Sequence, residues 1–431
     1  MRASSNSYIF LVLCAILISL MWSYYMRYHQ ITEDLLTARG FPQRTFSDLY
    51  PSWLGSRELL LRGCDPYSAA ITQKIQEGYY GRAITGSPQD PIDQQRFAYP
   101  AFIVFLLAPS ILLPFEVVKI LATILLLGAA ILTVAIWTRL MGLDLRLRGE
   151  VALILVCLST IPYAEGIQLQ QLSVFVAFVM AASVYALAKE RLVIGGVFLA
   201  ISTIKPQMSI PFVAYIMVWG ISNWKERRRV VISLLLTVAT LILASEMLLP
   251  HWQYEFVACL KPYLRYTQAT SGVRALLGPT GAIFSYIVSG VIVVVAVWQA
   301  RFAPANSRQF TTVAVLVLVF TSLVLPSLAP HIQALVMPAY LLLVKEGRMI
   351  WKMGAFPRAL LRASWLVVIW PWVTGSILAM AFVISQDRGL LRHWDLPLYT
   401  NPLIPAVVFC SLCPLLAQTL LRNSARVYAA G

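Results

Sequence analysis

The chain has 431 residues, of which 59% are hydrophobic and only 12% charged. A soluble domain carries roughly 25% charged residues, so the composition excludes a soluble globular enzyme. A formal net charge of +15 would suggest nucleic acid in a soluble protein. Here, however, Lys and Arg stand in short loops between apolar runs, the pattern of a membrane protein whose basic loops stay cytoplasmic. The partner this implies is the lipid bilayer, with no nucleic acid.

In chain order, Arg2 is followed by an apolar run over 8–26 that is long for a signal peptide and lacks a small-residue cleavage site. It reads as an uncleaved first span. Residues 29–115 then form a large first outer loop. In it, Asp48 is flanked by Leu49, Trp53, Leu54, Leu59 and Leu60, an amphipathic pattern that predicts a helix resting on the membrane surface. The apolar stretch 98–114 is short and carries Pro100, Pro109 and Pro114, which interrupt helices. It is expected to lie in the outer leaflet without crossing. Core spans follow over 116–138, 150–164, 171–188, 192–204 and 207–221. The region 222–431 supplies spans at 230–249, 281–300, 310–328, 332–345, 363–384 and 402–421. The longer of these are long enough to cross as a helix, and 192–204 and 207–221 are two short halves of one apolar stretch broken at Lys205. With the first span this predicts about twelve crossings in a single all-α polytopic domain (29–115, 116–221 and 222–431 being its parts). Both termini are then inside, and each basic loop, such as 224–229 or 345–362, is inside too.

Polar residues gather at the outer ends of these spans. A carboxylate at a membrane boundary, such as Asp48, is a candidate general base because partial desolvation raises its pKa toward neutrality; an ordinary solvated loop aspartate is the alternative. The segment 161–173 carries Glu165, Gln168, Gln171 and Ser173. They suit sugar hydroxyls or a lipid phosphate, or serve as helix caps. In Thr203-Ile204-Lys205-Pro206-Gln207, a lysine interrupts an apolar stretch. An ionisable residue near membrane depth marks a functional site facing a cavity. Lys205, with Gln207 beside it, would meet an anionic phosphate; snorkelling to the headgroups is the other reading. His331 sits at another tight outer hairpin. All four histidines (29, 251, 331 and 393) fall on the outer face, and no metal site or cofactor is assigned to them. The six cysteines are scattered, mostly within apolar runs; a disulfide between Cys64 and Cys259 remains open.

Several of these features form one pattern. Ser47-Asp48 follows the first span. Leu60-Leu61-Arg62-Gly63-Cys64-Asp65-Pro66-Tyr67 comes next, then Tyr99-Pro100, and Lys205-Pro206 lies at an outer break. The chain thereby resembles the family-87 glycosyltransferases of the GT-C superfamily, typified by bacterial polyprenyl-phosphate-mannose-dependent α-1,2-mannosyltransferases. The resemblance covers most of the chain through short motifs. It implies a GT-C fold with juxtamembrane helices in the first outer loop, and a multi-pass location in the bacterial inner membrane with the site on the periplasmic face. It also implies a metal-independent inverting transfer of a sugar, mannose or arabinofuranose among others. The donor would be a polyprenyl-phosphate sugar and the acceptor a glycolipid or polysaccharide.

By the same resemblance Asp48 matches the catalytic base, and Lys205 the lysine that neutralises the leaving phosphate. Asp65 and Tyr67 belong to the Asp-Pro-Tyr motif that shapes the loop. Gln171 and Ser173 match a Gly-Gln-x-Asn/Ser element, although Gln170 stands where glycine is usual. His331 falls where the family has a polar cluster, without the aspartate common after it. A secondary transporter or flippase would also carry twelve spans. Matched halves, the usual mark of transporters, are not seen. A polysaccharide polymerase or ligase would carry its large outer loop late in the chain, whereas here it comes first.

Overall fold

The computed structural model describes residues 2–41, 45, 47–266, 270–385 and 393–429, and the described residues form helices and connections without strands. Phe46 of the Ser-Asp motif lies outside the described residues. Helix α1 (Arg2–Ala38) has 37 residues. At 1.5 Å per residue it is about 55 Å long, well beyond the ~30 Å hydrocarbon core, so it carries a long extension past the membrane.

The segment between α1 and the bundle folds into three small helices, α2 (Tyr50–Arg62), α3 (Ala69–Tyr80) and α4 (Ile103–Leu107). Pro51 opens α2, where its missing N–H costs nothing, and Gly63 closes it in the left-handed conformation at φ 65°. Ser68 caps α3 by accepting the Ile71 N–H at 3.3 Å. Their apolar faces meet in one cluster of Leu49, Trp53, Ile71, Ile75, Phe97, Ile103, Leu107, Phe115, Val118 and Leu172. Burying a side chain of this size contributes about 1.5–3 kcal/mol, so the loop is bound to the bundle as a packed cap. A Cβ on Gly78 would fall 1.8 Å from the Tyr50 hydroxyl; α2 and α3 approach this closely because that position is glycine. Residues 98–114 hold only the five-residue α4 and a single 3-10 turn, far too short to cross.

The bundle follows as α5 (Phe115–Leu140), α6 (Leu147–Leu158), α7 (Ile161–Gln168), α8 (Leu172–Ala188), α9 (Leu192–Ser202) and α10 (Pro206–Ser222). It continues with α11 (Trp224–Leu248), α12 (Trp252–Tyr266), α13 (Gly272–Ala300), α14 (Arg308–Val324), a 3-10 turn over Pro330–Val336, α15 (Met337–Lys352), α16 (Ala355–Ser385) and α17 (Ile404–Ala429). Helix α14 is buried on nearly every side from Phe310 to Val319, the mark of a core helix. Helices α11 and α13 instead expose Leu235, Leu236, Ile283 and Phe284. In a chain this apolar, such surfaces face lipid.

Among the described residues, five helices are long and apolar enough to cross a membrane: Ile9–Ala38, Phe115–Leu140, Trp224–Leu248, Gly272–Ala300 and Ala355–Ser385. A sixth arises if α6 and α7, bent by 71°, count as one span. Four shorter apolar helices accompany them: Leu172–Ala188, Leu192–Ser202, Arg308–Val324 and Ile404–Gln418. Helix length therefore yields fewer long spans than charge parity does. The difference has a physical source. One segment expected as a continuous span, 150–164, is interrupted by a turn at Ser159–Thr160 before Pro162, while the turns at 203–205 before Pro206 and at 325–329 before Pro330 fall where breaks were expected. Lys205 lies in one of these turns, and His331 follows another.

Candidate active site

The site is organised by the corner between α7 and α8. The Leu169 N–H reaches back to the Glu165 carbonyl at 2.9 Å, and the Gln171 N–H to the Gly166 carbonyl at 2.7 Å. These bonds satisfy the last carbonyls of α7. The closure needs one left-handed residue, and that residue is Gln170, at φ 50°. Glycine adopts this conformation without strain, which explains why glycine is usual there. Gln170 is held in place by its own amide, which donates to Thr123 Oγ1 at 3.1 Å and to the Gln168 carbonyl at 2.6 Å. A Cβ on Gly166 would lie 2.5 Å from Val174 Cγ2 and 3.5 Å from His331 Cβ, so glycine lets three elements converge on the corner.

The segment leading into α2 docks here through its backbone: the Asp48 N–H donates to the Leu169 carbonyl at 2.9 Å. That contact delivers the Asp48 carboxylate to Gln171, whose Nε2 donates to Oδ2 in a short hydrogen bond. The other end of the same amide, Oε1, accepts from Lys205 Nζ at 2.7 Å. A neutral amide thus bridges an acid and a base, with its dipole aligned to both. Lys205 also lies 5.6 Å from the Tyr99 ring centroid, within cation–π range. The Tyr99 carbonyl accepts the Tyr67 hydroxyl at 2.6 Å, and the Tyr67 N–H donates to Asp65 Oδ1 at 2.9 Å. Asp65 and Tyr67 therefore shape the wall behind Lys205. On the other side, Glu165 Oε2 accepts the His331 N–H at 2.6 Å and lies 3.2 Å from His331 Nδ1.

The electrostatics follow from crowding. Asp48 is half-buried. Burial pushes its pKa above the ordinary carboxylate range, opposed by His331, by the Gln171 hydrogen bond and by Lys205. Lys205, in the turn between α9 and α10, is 7% exposed; burial lowers its pKa to about 8, opposed by Asp48. Each group's charge favours the charged form of the other, against the burial that disfavours both. Such a carboxylate can accept a proton, and such an ammonium can stabilise a developing phosphate charge.

Asp48, Gln171, Lys205, Glu165 and His331 therefore come together, with Asp65 and Tyr67 in support. Ser173 is fully buried, and its Oγ has no hydrogen-bond partner among the described residues. The Gln168 amide likewise has none. Buried polar groups without partners are expensive, and these lie next to the corner. Gln207 is exposed at the start of α10 and shows no bond to the cluster. Tyr99, Gln170 and Thr123 were not among the expected site residues. Tyr99 and Thr123 lie in apolar surroundings that give no sequence signal, whereas the displaced glycine pointed to 170. All six cysteines are free. No group of three or more His, Cys, Asp or Glu with metal-holding geometry occurs among the described residues.

Residues 97–326 match Glycosyltransferase family 87. The chain belongs to that family. The matched region takes in Tyr99, Glu165, Gln171 and Lys205 and leaves Asp48 and His331 outside. It thus joins the wall, the corner and the lysine of the site in one family element, consistent with a GT-C superfamily member. This glycosyltransferase, with its many apolar helices, is a membrane protein that uses a sugar donor and an acceptor. No curated protein and no solved structure matches the chain.

Proposed function

We propose that this glycosyltransferase moves a sugar, mannose first among candidates, from a polyprenyl-phosphate donor to a glycolipid or polysaccharide acceptor at the outer face of a bacterial inner membrane. On this reading the bundle crosses about twelve times, with the corner of α7 and α8 at the outer surface. The observation that carries the reading is the Asp48–Gln171–Lys205 bridge, an acid and a base held apart by one amide at the end of a membrane bundle.

Asp48 accepts the proton of the acceptor hydroxyl while that oxygen forms its bond to the anomeric carbon. The bond from that carbon to the phosphate oxygen breaks, and its electron pair leaves with the polyprenyl phosphate. Lys205 faces the leaving phosphate and offsets its growing charge. Attack and departure on opposite sides of one carbon invert its configuration. Glu165 and His331 supply hydrogen bonds to the sugar hydroxyls, with Gln168 and Ser173 at the rim of the same space. Gln207 stands at the exposed approach to Lys205.

The test incubates membranes containing the protein with labelled polyprenyl-phosphate mannose and a lipid extract. Wild type is expected to transfer label to an extractable product. Asp48→Asn is expected to lose about 10²–10⁴-fold and Lys205→Ala about 10²-fold. Undiminished transfer by Asp48→Asn would remove the base assignment. Substrate flux into vesicles with no transfer from any polyprenyl-phosphate sugar would favour a transporter.

A further inference from the structure

Helix α12, between α11 and α13, takes no part in the bridge, yet one side of it closes on the same wall. Trp252, Phe256, Cys259 and Tyr263 fall in one stripe along it, at the i, i+4, i+7, i+11 spacing of a helix face. The first three show where that face points. The Trp252 ring meets Phe102 edge-on at 5.8 Å between centroids, and the Phe256 ring lies 6.5 Å from Tyr67. Cys259 Sγ lies 3.7 Å from the Phe97 carbonyl. Tyr67 in turn donates to the Tyr99 carbonyl behind Lys205. The opposite side of α12 carries Tyr254, Lys261 and Arg265, all exposed. Tyr263, half-buried one turn beyond Cys259, therefore faces the wall as well. It comes within electrostatic reach of Tyr99, Asp93 and Asp48.

Asp93 reaches this end of the site by bonds of its own. The Tyr80 hydroxyl, at the end of α3, donates to the Asp93 carbonyl at 2.6 Å. Thr45 Oγ1, three residues before Asp48, donates to the Gly78 carbonyl of the same helix end at 3.2 Å. Asp93 is exposed, and its carboxylate accepts the Gln95 N–H at 3.0 Å and Gln95 Nε2 at 2.9 Å. The two ends of the site thus differ in charge. Lys205 offers a cation, which suits a phosphate. Asp48 and Asp93 offer two carboxylates, which repel an anion and accept hydroxyl hydrogen bonds. Tyr99 and Tyr263 add flat apolar faces beside them. That combination suits a neutral ring, apolar on its faces and rich in hydroxyls at its edge.

We propose that α12 roofs the acceptor subsite: Tyr263 packs on the face of the acceptor's sugar ring and holds its attacking hydroxyl toward Asp48, while Asp93 accepts a neighbouring hydroxyl. This rests on the transfer reading above, which places the donor phosphate at Lys205 and the transferred sugar at Glu165 and His331. Tyr99 adjoins both subsites, with its ring near Lys205 and its hydroxyl within reach of Tyr263. Tyr263 acts on binding and orientation only. The proton still passes from the acceptor hydroxyl to Asp48.

The test uses the full chain in membranes with labelled polyprenyl-phosphate mannose. The lipid extract is varied at saturating donor, and then the donor at saturating extract. Tyr263→Ala is expected to raise the half-saturating amount of extract about tenfold, the cost of truncating an aromatic anchor. The donor KM should stay within about twofold of wild type, which separates the two subsites. Tyr263→Phe, which keeps the ring, is expected to restore the wild-type extract dependence. Asp93→Ala should raise it about as far as Tyr263→Ala does. Tyr254→Ala, on the far side of α12, should transfer as wild type does. Unfolding midpoints are measured on every variant. An unchanged extract dependence in Tyr263→Ala, a rise in donor KM in its place, or a loss that follows the unfolding midpoint would overturn the subsite. Wild type that transfers no label would overturn the transfer reading and the subsite with it. Wild-type transfer that Tyr263→Ala leaves unmoved overturns the subsite alone.

Discussion

Two cations at opposite ends of α10 are equally buried, Lys205 and Arg227 each at 7% exposure, and they are bonded in opposite ways. Arg227 donates to four carbonyls, Trp219 at 3.1 Å, Arg301 at 2.7 Å, Phe302 at 3.1 Å and Ala303 at 3.1 Å. Its guanidinium also stacks on Trp219 at 4.1 Å. It ties the α10–α11 turn to the α13–α14 turn and leaves little donor capacity unused. Nearby, Arg308 pairs with Glu346 at 3.0 Å and Lys345 bonds the Met141 carbonyl. Lys205 has three donors and makes one hydrogen bond, to Gln171. Ser173 and Gln168, on either side of the α7–α8 corner, also keep side-chain atoms unpartnered among the described residues. A buried charge that is fully bonded holds a fold together. One with spare donors, beside a recessed carboxylate, has hydrogen-bonding capacity left to offer a substrate.

The contrast can be broken most forcefully at its bridge. Gln171→Leu removes the link between Asp48 and Lys205 and is expected to cost about 10²-fold in transfer rate with little loss of stability. The Gln171 hydrogen bond lowers the Asp48 pKa, so the acid limb of the rate profile should also move to higher pH in this variant. A rate profile tracking stability instead would make the bridge structural.

The pH profile of the wild type sharpens the same point. A base must be deprotonated, so the rate should rise with pH as Asp48 titrates, above the ordinary carboxylate range. It should fall again as Lys205 loses its proton at about 8. Lys205→Arg, which keeps its charge at any accessible pH, should abolish the alkaline limb even where it lowers the maximum. An alkaline limb unchanged by that substitution would assign it to another group.

The smallest effect is expected at Gln170. Gln170→Gly relieves a left-handed residue at φ 50° but gives up the amide bond to Thr123. A net stability change within about 1 kcal/mol is expected, with transfer retained. A large loss of transfer would show that the Gln170 amide takes part in substrate binding.

Much of this was legible in the sequence because the bilayer makes charge conspicuous. Asp48, Glu165, Lys205 and His331 stood out as ionisable groups at the ends of apolar runs, and the corner brings them together through Gln171. The first outer loop was legible as amphipathic from the spacing around Trp53, although its division into α2, α3 and α4 was not. Tyr99 was not marked as a site residue, because a tyrosine in an apolar stretch packs or binds with equal ease. The Leu169 carbonyl that docks Asp48 belongs to the backbone and leaves no trace in residue identity. Helix lengths were obscured for a different reason. Helix α9 has 11 residues, about 16 Å at 1.5 Å each, because the chain turns at 203–205 to present Lys205.

The most direct test of the contrast measures transfer rate and unfolding midpoint together on Lys205→Met and Arg227→Met. Lys205→Met is expected to lose about 10²-fold in rate while keeping or raising its midpoint, since one poorly bonded buried charge is removed. Arg227→Met is expected to lose about 3 kcal/mol of stability, while whatever remains folded transfers at nearly the wild-type rate. A Lys205→Met protein as destabilised as Arg227→Met, whose folded fraction transfers normally, would contradict the assignment of the Lys205 end to catalysis.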